Sequence, residues 1–341
     1  MAHHLDPERM QRDSAAASQL AAIPTNRVCT MSTSIQESVS LALGSGGARG
    51  LAHIGIIECL IDQGYRIASI SGASMGSLIG GIYAAGELDA YKRWVCSLGR
   101  TDVLRFLDFA FSGDGLLKGD RIMDRLREMV GERQIEDLPV TFTAVATDIE
   151  RQREVWISEG PLFDAVRASI AVPGIFTPYE YQGMTLVDGG LLNPVPIAPT
   201  FRDFTDLTIA VNLNAKTPQS RRTDTLPASK RREPEADQGY QARIRQFLDT
   251  IGSNLVGSGD QRFGVFELTT RSFETMQNAI AATKIAAYRP DVIIDVPRDA
   301  SAAHEFHRAR ELIELGYALA ESAMEPRRAG AALGSCPTHA L

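Results

Sequence analysis

The sequence has few of the features that mark secreted, metal-binding or membrane-spanning proteins. Its 341 residues include only 4 cysteines, which form no C-x-x-C pair or other zinc-ligand spacing. The N-terminus lacks the pattern of a Sec-type signal peptide, and no run of about 18 apolar residues predicts a membrane-spanning helix. We therefore expect a soluble protein of the reducing cytoplasm with buried thiols.

An excess of positive charge is also missing. The chain carries 35 Lys and Arg residues against 42 Asp and Glu residues, which gives a formal net charge of -7. A dedicated nucleic-acid binder should present a basic face, so this balance argues against a nucleic-acid partner. The basic cluster at residues 230–232 favours a solvated loop, with attraction to anionic lipid as the alternative.

The chain does have 44% hydrophobic residues, enough for a substantial core, between polar segments. Residues 1–35 are polar and alanine-rich, which predicts a mobile N-terminal tail, and residues 326–341 are interpreted as a C-terminal tail. Residues 215–240 combine many charges with few apolar side chains, which predicts a disordered surface loop. Length alone suggests about two domains, but α/β folds of this size often form one, and we expect a single domain over residues 36–325.

The stretch from Val39 to Gly76 predicts a β-α-β unit. A strand over Val39–Leu43 leads into a glycine-rich loop, an apolar helix follows over Arg49–Gln63, and a second strand covers Ile67–Ser71. Parallel strands bring their carboxyl ends to one edge of the sheet, so the loop and the turn after the second strand should be neighbours. Further strands are predicted at Thr141–Thr147, Arg153–Ile157, Leu207–Leu213 and Val292–Val296, and a strand or hairpin at Tyr179–Val187. Helices are predicted at 87–111, Gly119–Val130, Leu162–Ser169, Gln241–Leu255, Phe263–Tyr288 and Ala302–Ala323.

The glycine-rich loop has two possible interpretations. Its glycines at 44, 46 and 50 resemble a dinucleotide-binding loop, but Arg49 occupies the last position of the tighter motif, and no acidic residue ends the second strand. Nucleotide binding is therefore the weaker alternative. Backbone amides at a helix start also favour other anions, including the oxyanion of an acyl-transfer reaction.

Directly after the second strand, Gly72-Ala73-Ser74-Met75-Gly76 has the G-x-S-x-G spacing of a nucleophile elbow. Such an elbow is a sharp strand-to-helix turn that exposes a serine hydroxyl. The same spacing also occurs in ordinary glycine turns. Its position behind an anion-binding loop favours a nucleophilic role for Ser74.

A serine nucleophile needs a base, and the histidines are poor candidates. Three of the six lie in the tails. His304 and His307 fall on the polar side of the predicted helix over Ala302–Ala323, and His53 falls on a buried helix, where a packed core histidine is expected.

A carboxylate is the remaining candidate. Asp188 ends a predicted strand and is followed by two glycines that permit close approach of the backbone. An aspartate of ordinary pKa, near 3.9, is a weak base toward a hydroxyl, so it would have to be partly desolvated and within about 3 Å of Ser74. The alternative is a plain turn aspartate at the end of a strand.

Three separated motifs together resemble the patatin-like phospholipase family, most closely its bacterial stand-alone cytoplasmic members. They are Ser45-Gly46-Gly47-Ala48-Arg49-Gly50, the elbow around Ser74, and Asp188-Gly189-Gly190. The block from Ala168-Ser169 to Pro178 also resembles a proline-containing block of the family. The resemblance covers residues 38–214, with a looser fit over 241–323, and Ser45 replaces the first glycine of the family motif.

This resemblance implies a three-layer α/β/α fold with a mostly parallel central sheet flanked by helices. It also implies a Ser–Asp dyad that hydrolyses acyl esters of lipids through an acyl-enzyme, without metal or cofactor. Ser74 would be the nucleophile and Asp188 the base, the amides of Gly46 and Gly47 would form the oxyanion hole, and Arg49 would help to fix the loop. The alternative is a non-enzymatic lipid-binding or regulatory protein that retains the site.

An aromatic segment at residues 91–111 also bears on the substrate. Tyr91, Trp94 and three phenylalanines alternate there with charged residues, which favours two core-packing helices over an acyl channel or a membrane contact. We therefore expect a cytoplasmic protein with a lipid or acyl-ester substrate and at most a peripheral membrane contact. The sequence carries no signal for an oligomeric state.

Overall fold

The computed structural model describes residues 36–99, 102, 118–216 and 265–334. The expected N-terminal tail, the loop over 217–240, the helix over Gln241–Leu255 and the phenylalanines of the aromatic segment lie outside these residues. All elements below belong to the unit that begins at Gln36.

A mixed sheet of mostly parallel strands forms the centre of the fold. Its strands are β1 (Ser38–Leu43), β2 (Arg66–Ala73), β3 (Thr141–Asp148), β4 (Arg153–Ile157), β5 (Tyr179–Tyr181), β6 (Met184–Asp188), β7 (Leu207–Ala215) and β8 (Val292–Pro297). The order across the sheet is β5-β6-β3-β2-β1-β7-β8, and β4 pairs with β3 outside this path. In this spatial order, the consecutive strands β3, β2, β1, β7 and β8 pair in parallel with one another. Strands β4, β5 and β6 pair antiparallel. The predicted strands are confirmed with shifts of a few residues at their ends.

Helices cover both faces of this sheet. They are α1 (Ala52–Asp62), α2 (Met75–Ala84), α3 (Leu88–Ser97), α4 (Asp120–Val130), α5 (Leu162–Ser169), α6 (Val265–Tyr288) and α7 (Ala309–Gly334). A 3₁₀ turn over Gly47–Leu51 precedes α1, so the predicted helix from Arg49 begins as a tighter turn. The predicted α/β architecture is confirmed.

The two faces of β1 differ in character because side chains alternate along a strand. Val39, Leu41 and Leu43 are fully buried in the main apolar core. On the other face, Ala42 packs in a second cluster with Ala281 of α6. Serines complete that second face and bind the irregular segment 194–205, through the pairs Ser40–Thr205, Ser69–Asp203 and Ser71–Pro196 O.

Helices α1 and α7 touch backbone to backbone. A Cβ at Gly55 would overlap the Ile313 carbonyl, and a Cβ at Gly316 would overlap the Ala52 carbonyl. Glycine is therefore required at both crossing points, since any side chain would force the helices apart. Helix α7 therefore packs directly against α1.

The segment between β8 and α7 is irregular, so the prediction of a helix from Ala302 is wrong at its start. Ser301 O accepts a hydrogen bond from Arg49 Nη1 over 3.2 Å, and Ala303 O accepts one from the Ala48 amide over 2.8 Å. Carbonyls committed to the glycine loop are not available to a helix, which explains the later start.

At its other end α7 continues to Gly334. Met324 is fully buried, and the alanine-rich sequence that follows favours the helical state. The segment expected as a C-terminal tail therefore begins in helical form.

Candidate active site

The turn after β2 is a strand-to-helix elbow that carries Ser74. Ser74 has φ 54° and ψ -124°, a conformation that few L-residues adopt. Helix α2 packs so closely that a Cβ at Gly76 would overlap the Leu43 carbonyl, and one at Gly72 would overlap the backbone of Gly76. The two glycines of the motif are thus required by close backbone contacts, and Ser74 lies at the carboxyl end of β2.

Asp188 ends β6, and β3 lies between this strand and β2. Ala73 of β2 is in register with Val145, and Asp188 is in register with Ala146. Adjacent strands are about 4.8 Å apart, so the main chains that carry Ser74 and Asp188 are separated by about 10 Å. The two side chains interact across the end of β3.

The Asp188 carboxyl is 1% exposed, and its two oxygens differ. Oδ1 accepts a hydrogen bond from the Gly190 amide over 2.7 Å, whereas Oδ2 has no hydrogen-bond partner among the described residues. Burial raises the pKa of Asp188 to about 6, and the Ser74 hydroxyl and the Gly190 amide oppose this rise. The Ser74 hydroxyl is therefore near enough to favour the carboxylate, although it does not have the geometry of a formed hydrogen bond.

In the part of the chain that the structure describes, two amides of the glycine-rich loop have no acceptor. The amides of Gly44, Ser45 and Ala48 donate to main-chain carbonyls over 3.1, 2.9 and 2.8 Å. Between them, the amides of Gly46 and Gly47 have no acceptor among the described residues. Because Gly47 has φ 57° and a Cβ there would overlap Ala303, this part of the loop requires glycine.

Hydrogen bonds from the side chains of Arg49 and Asn214 support the glycine-rich loop. The Arg49 guanidinium is buried and donates to Asn214 Oδ1 over 2.9 Å. Asn214 Nδ2 in turn donates to Ser45 O over 3.1 Å. The carbonyl and the following N–H of a trans peptide point in opposite directions, so this bond directs the Gly46 amide away from Asn214. The Arg49 side chain therefore contacts the support of the loop.

Ser45, at the position of a glycine in the resembled family, meets helix α6. Gln277 Nε2 donates to Ser45 Oγ over 3.4 Å, and both side chains are buried. A Cβ at Gly190 would overlap both Gln277 Nε2 and Ser45 Oγ and would also crowd Asp188 Oδ1. Helix α6 thus reaches the point where the glycine loop and the Asp188 turn meet.

The histidines are occupied elsewhere. His53 is fully buried, its Nε2 lies 2.9 Å from Gly44 O, and burial lowers its pKa to about 4. This confirms the predicted core histidine. His304 is exposed and His307 is half-buried, while Ala309, Ile313 and Ala320 form the buried side of α7 as predicted.

Two residues of this arrangement were not predicted from the sequence. Asn214 follows the buried part of β7, and a polar residue at the carboxyl end of a parallel strand was the available signal. Ser169 lies in the proline-containing block, and its Oγ accepts a hydrogen bond from the Ser74 amide over 3.0 Å. Both act through contacts between residues far apart in sequence, which no local pattern reveals.

The described part of the aromatic segment belongs to the core. Tyr91 is buried, and Trp94 packs against it with ring centroids 5.6 Å apart. The core-packing interpretation is therefore confirmed for these two residues. No helix in the described ranges combines the length and apolarity that a bilayer span requires.

Taken together, the site combines a hydroxyl on a strained elbow, a buried carboxylate with raised proton affinity and two amides that find no acceptor within the described ranges. A nucleophile, a proton acceptor and an anion-binding pair are the groups that acyl transfer needs. Among the described residues, no group of three or more His, Cys, Asp or Glu side chains lies together as a metal site would require.

Comparison with known proteins gives matches over the same region. A model of the patatin-like phospholipase family matches residues 41–201. An NTE family protein of Mycobacterium tuberculosis is 39% identical over 335 residues, which cover 84% of this chain and 91% of that protein. Lysophospholipase nte1 of Emericella nidulans is 33% identical over 189 residues, which cover 53% of this chain and 12% of that protein. Among solved structures, VipD from Legionella pneumophila has 15% identity and a TM-score of 0.39, covering 85% of this chain and 67% of that chain.

Proposed function

Because the chain belongs to the patatin-like phospholipase family, we propose that it is a serine hydrolase of lipid acyl esters. In this proposal Ser74 is the nucleophile, Asp188 the base, and the amides of Gly46 and Gly47 the oxyanion hole. Membership of the family supports lipid hydrolysis in general. The observation that carries the finer assignment is the buried Asp188 Oδ2, which lies beside the Ser74 hydroxyl and has no hydrogen-bond partner among the residues that the structure describes.

In the first half of the reaction, Ser74 Oγ attacks the ester carbonyl while Asp188 accepts its proton. The carbonyl oxygen becomes an oxyanion that the Gly46 and Gly47 amides stabilise, and each such donor contributes about 2.7–4 kcal/mol in comparable enzymes. When the tetrahedral intermediate collapses, Asp188 returns the proton to the departing alcohol. The acyl group remains on Ser74.

In the second half, Asp188 takes a proton from a water molecule that attacks the acyl-enzyme. Collapse of the second tetrahedral intermediate releases the fatty acid, and the proton returns to Ser74 Oγ. The carboxyl must therefore bind and release a proton twice per turnover, which a pKa raised to about 6 favours over the ordinary value. No metal ion or cofactor takes part in this scheme.

The proposed substrate is an acyl ester of a phospholipid or lysophospholipid. The name of lysophospholipase nte1 indicates a lysophospholipid substrate for that protein. Because the alignment covers only 12% of that protein, this substrate class is a proposal for the present chain. We further propose that residues 36–325 act as one catalytic domain in the cytoplasm, with at most peripheral contact to a membrane.

Substitution of the two side chains tests this function. We expect Ser74→Ala and Asp188→Asn each to lower hydrolysis of a lysophospholipid and of a p-nitrophenyl acyl ester by at least about 1,000-fold while the circular dichroism spectrum is kept. Ser77→Ala is the matched control, because Ser77 is buried one turn further along α2 and its hydroxyl has no partner among the described residues.

A fluorophosphonate probe separates the enzyme from its non-enzymatic alternative. We expect covalent labelling of the wild-type protein at Ser74, since labelling requires an activated hydroxyl. A folded wild-type protein that binds lysophospholipid but neither labels nor hydrolyses it would instead be a lipid-binding protein that retains the site.

A further inference from the structure

We propose that Ser169 is a positioning residue that sets the distance between Ser74 and Asp188, as one arm of a bracket formed by residues 169–171. The inference rests on the function proposed above. It assigns to the end of helix α5 the task of holding the main chains of both reacting residues.

The first arm of the bracket is the Ser169 hydroxyl. It donates its proton to Val145 O over 2.6 Å and accepts a hydrogen bond from the Ser74 amide over 3.0 Å. Ser169 is fully buried, so water does not compete for either bond. Because the proton is committed to Val145, a lone pair of Oγ faces the Ser74 amide. The strained backbone of Ser74 is thus tied through one side chain to the central strand β3.

The second arm is the carbonyl of Ala171, two residues further along. It accepts a hydrogen bond from the Asp188 amide over 2.9 Å. The residue after Asp188 adds a steric contact on the same strand, since a Cβ at Gly189 would overlap the Val145 carbonyl. One short segment therefore binds the amide of Ser74 and the amide of Asp188, and the Val145 carbonyl contacts both Ser169 and the backbone after Asp188.

Helix α5 can serve this purpose because it is held firmly in the core. Its buried side chains are Leu162, Phe163, Ala165, Val166 and Ala168. Arg167, also buried, donates to Thr177 O over 3.0 Å and to Lys118 O over 3.0 and 2.6 Å. Because helix α5 is fixed, the bracket holds the main chains of Ser74 and Asp188 at a set separation. Loss of the Ser169 hydroxyl therefore lets the elbow move relative to the carboxylate.

A plain structural role for Ser169 would have different consequences. A core hydroxyl that only satisfies Val145 would, on removal, lower the stability of the fold and leave the rate of the folded protein unchanged. A positioning hydroxyl lowers the rate of attack itself, because proton transfer and attack both depend strongly on distance. The two roles therefore separate in kcat and in the labelling rate of Ser74, measured well below the unfolding temperature.

The test compares Ser169→Ala with Ser169→Thr and with the control Ser77→Ala. We expect Ser169→Ala to lower both kcat and the fluorophosphonate labelling rate at least about tenfold, with KM within about twofold of wild type. Ser169→Thr, which keeps a hydroxyl, should recover most of the labelling rate, and Ser77→Ala should not lower it. A folded Ser169→Ala protein with the wild-type kcat and labelling rate overturns the proposal.

Amide hydrogen exchange tests the bracket independently of enzymatic activity. In Ser169→Ala the Ser74 amide loses its acceptor and should exchange at least about tenfold faster, while the Ala68–Ser71 amides within β2 keep their protection. Unchanged exchange at Ser74 overturns the proposal even if the wild-type protein proves inactive. If the Ser74 amide exchanges faster in Ser169→Ala but the wild-type protein is inactive, the bracket is supported and the enzymatic function is rejected. If Ser169→Ala does not fold, Ser169→Cys takes its place in both measurements, because its thiol keeps the volume but bonds weakly.

Discussion

Arg49 Nη2 and Asn214 Oδ1 are joined by a buried hydrogen bond of 2.9 Å, although the two residues are far apart in sequence. The same Asn214 donates to Ser45 O over 3.1 Å, so one amide side chain links the guanidinium to the peptide that precedes Gly46. The orientation of a proposed oxyanion donor is therefore set from the end of β7.

Removal of this link should affect rate and stability together. In Asn214→Ala, Ser45 O loses its donor and Arg49 loses one of its acceptors, which should cost about 1–3 kcal/mol of unfolding free energy. Since the Gly46 amide is no longer held, we also expect kcat to fall roughly tenfold with little change in KM. Urea unfolding and steady-state kinetics provide the two measurements. Unchanged kcat in a folded variant would show that Asn214 does not orient the loop.

The proposed base should give a characteristic pH profile. Asp188 must be ionised to accept the Ser74 proton, and burial raises its pKa to about 6. We therefore expect kcat/KM to rise roughly tenfold per pH unit below about pH 6 and to level off above it. Initial rates with a soluble p-nitrophenyl ester between about pH 4.5 and 8.5 measure this profile. A rate that is flat down to about pH 4.5 would argue against Asp188 as the base.

The same carboxyl should also make stability depend on pH. Its folded pKa lies above the unfolded value of 3.8, so its contribution is fully present below about pH 4 and is lost as the pH rises through about 6. In Asp188→Asn this loss disappears, and above about pH 6 the variant should be more stable than wild type by on the order of 2–3 kcal/mol. Urea unfolding at about pH 4 and pH 8 compares the two proteins. An equal difference at both pH values would contradict the linkage.

The elbow should tolerate no side chain at Gly76. Because a Cβ there would overlap the Leu43 carbonyl, we expect Gly76→Ala to lose more than about 4 kcal/mol of unfolding free energy. Gly174→Ala is the control: Gly174 has φ 81° with open space around it, so only the backbone cost of about 1–2 kcal/mol applies. Soluble yield and thermal unfolding distinguish the two. Similar losses in both variants would mean that the close contact at Gly76 can relax.

The histidines should be dispensable for the reaction. His304 is exposed in the irregular segment before α7, and His307 is half-buried just ahead of the start of that helix. We expect the double variant His304→Ala/His307→Ala to keep kcat within about twofold of wild type, since neither residue is the proposed base. Steady-state kinetics on the purified variant measures this. A large loss of kcat without loss of structure would bring a histidine back into the mechanism.

The parts of the site that could be predicted from sequence are those that local constraints determine. The elbow is an example, because close backbone contacts require glycine at 72 and 76 and thereby leave a readable spacing around Ser74. Asp188 was detectable for a similar reason, since the glycines after it permit the contact with Val145. Periodicity also located the strands, which depend on a buried face.

Supports that act between distant segments could not be predicted in the same way. The hydrogen bonds of Asn214 to Arg49 and of Ser169 to Ser74 depend on which strands become neighbours. The residue types alone do not indicate their partners. The start of α7 was misplaced because the sequence around Ala302 favours a helix, whereas the glycine loop takes the carbonyls that a helix would need. In each case tertiary contacts override or supplement the local preference.

The backbone contact between α1 and α7 has a consequence for folding during translation. A ribosome delivers β1, the glycine loop and Ser74 long before Gly316, whose contact with Ala52 closes the cover over α1. Until then the apolar α1 lacks this contact with α7, and before residues 301–303 are made the loop also lacks the carbonyls of Ser301 and Ala303. Translation that stops before Gly316 therefore yields a chain with its serine elbow but without a closed core, and that chain is a substrate for chaperones and proteases.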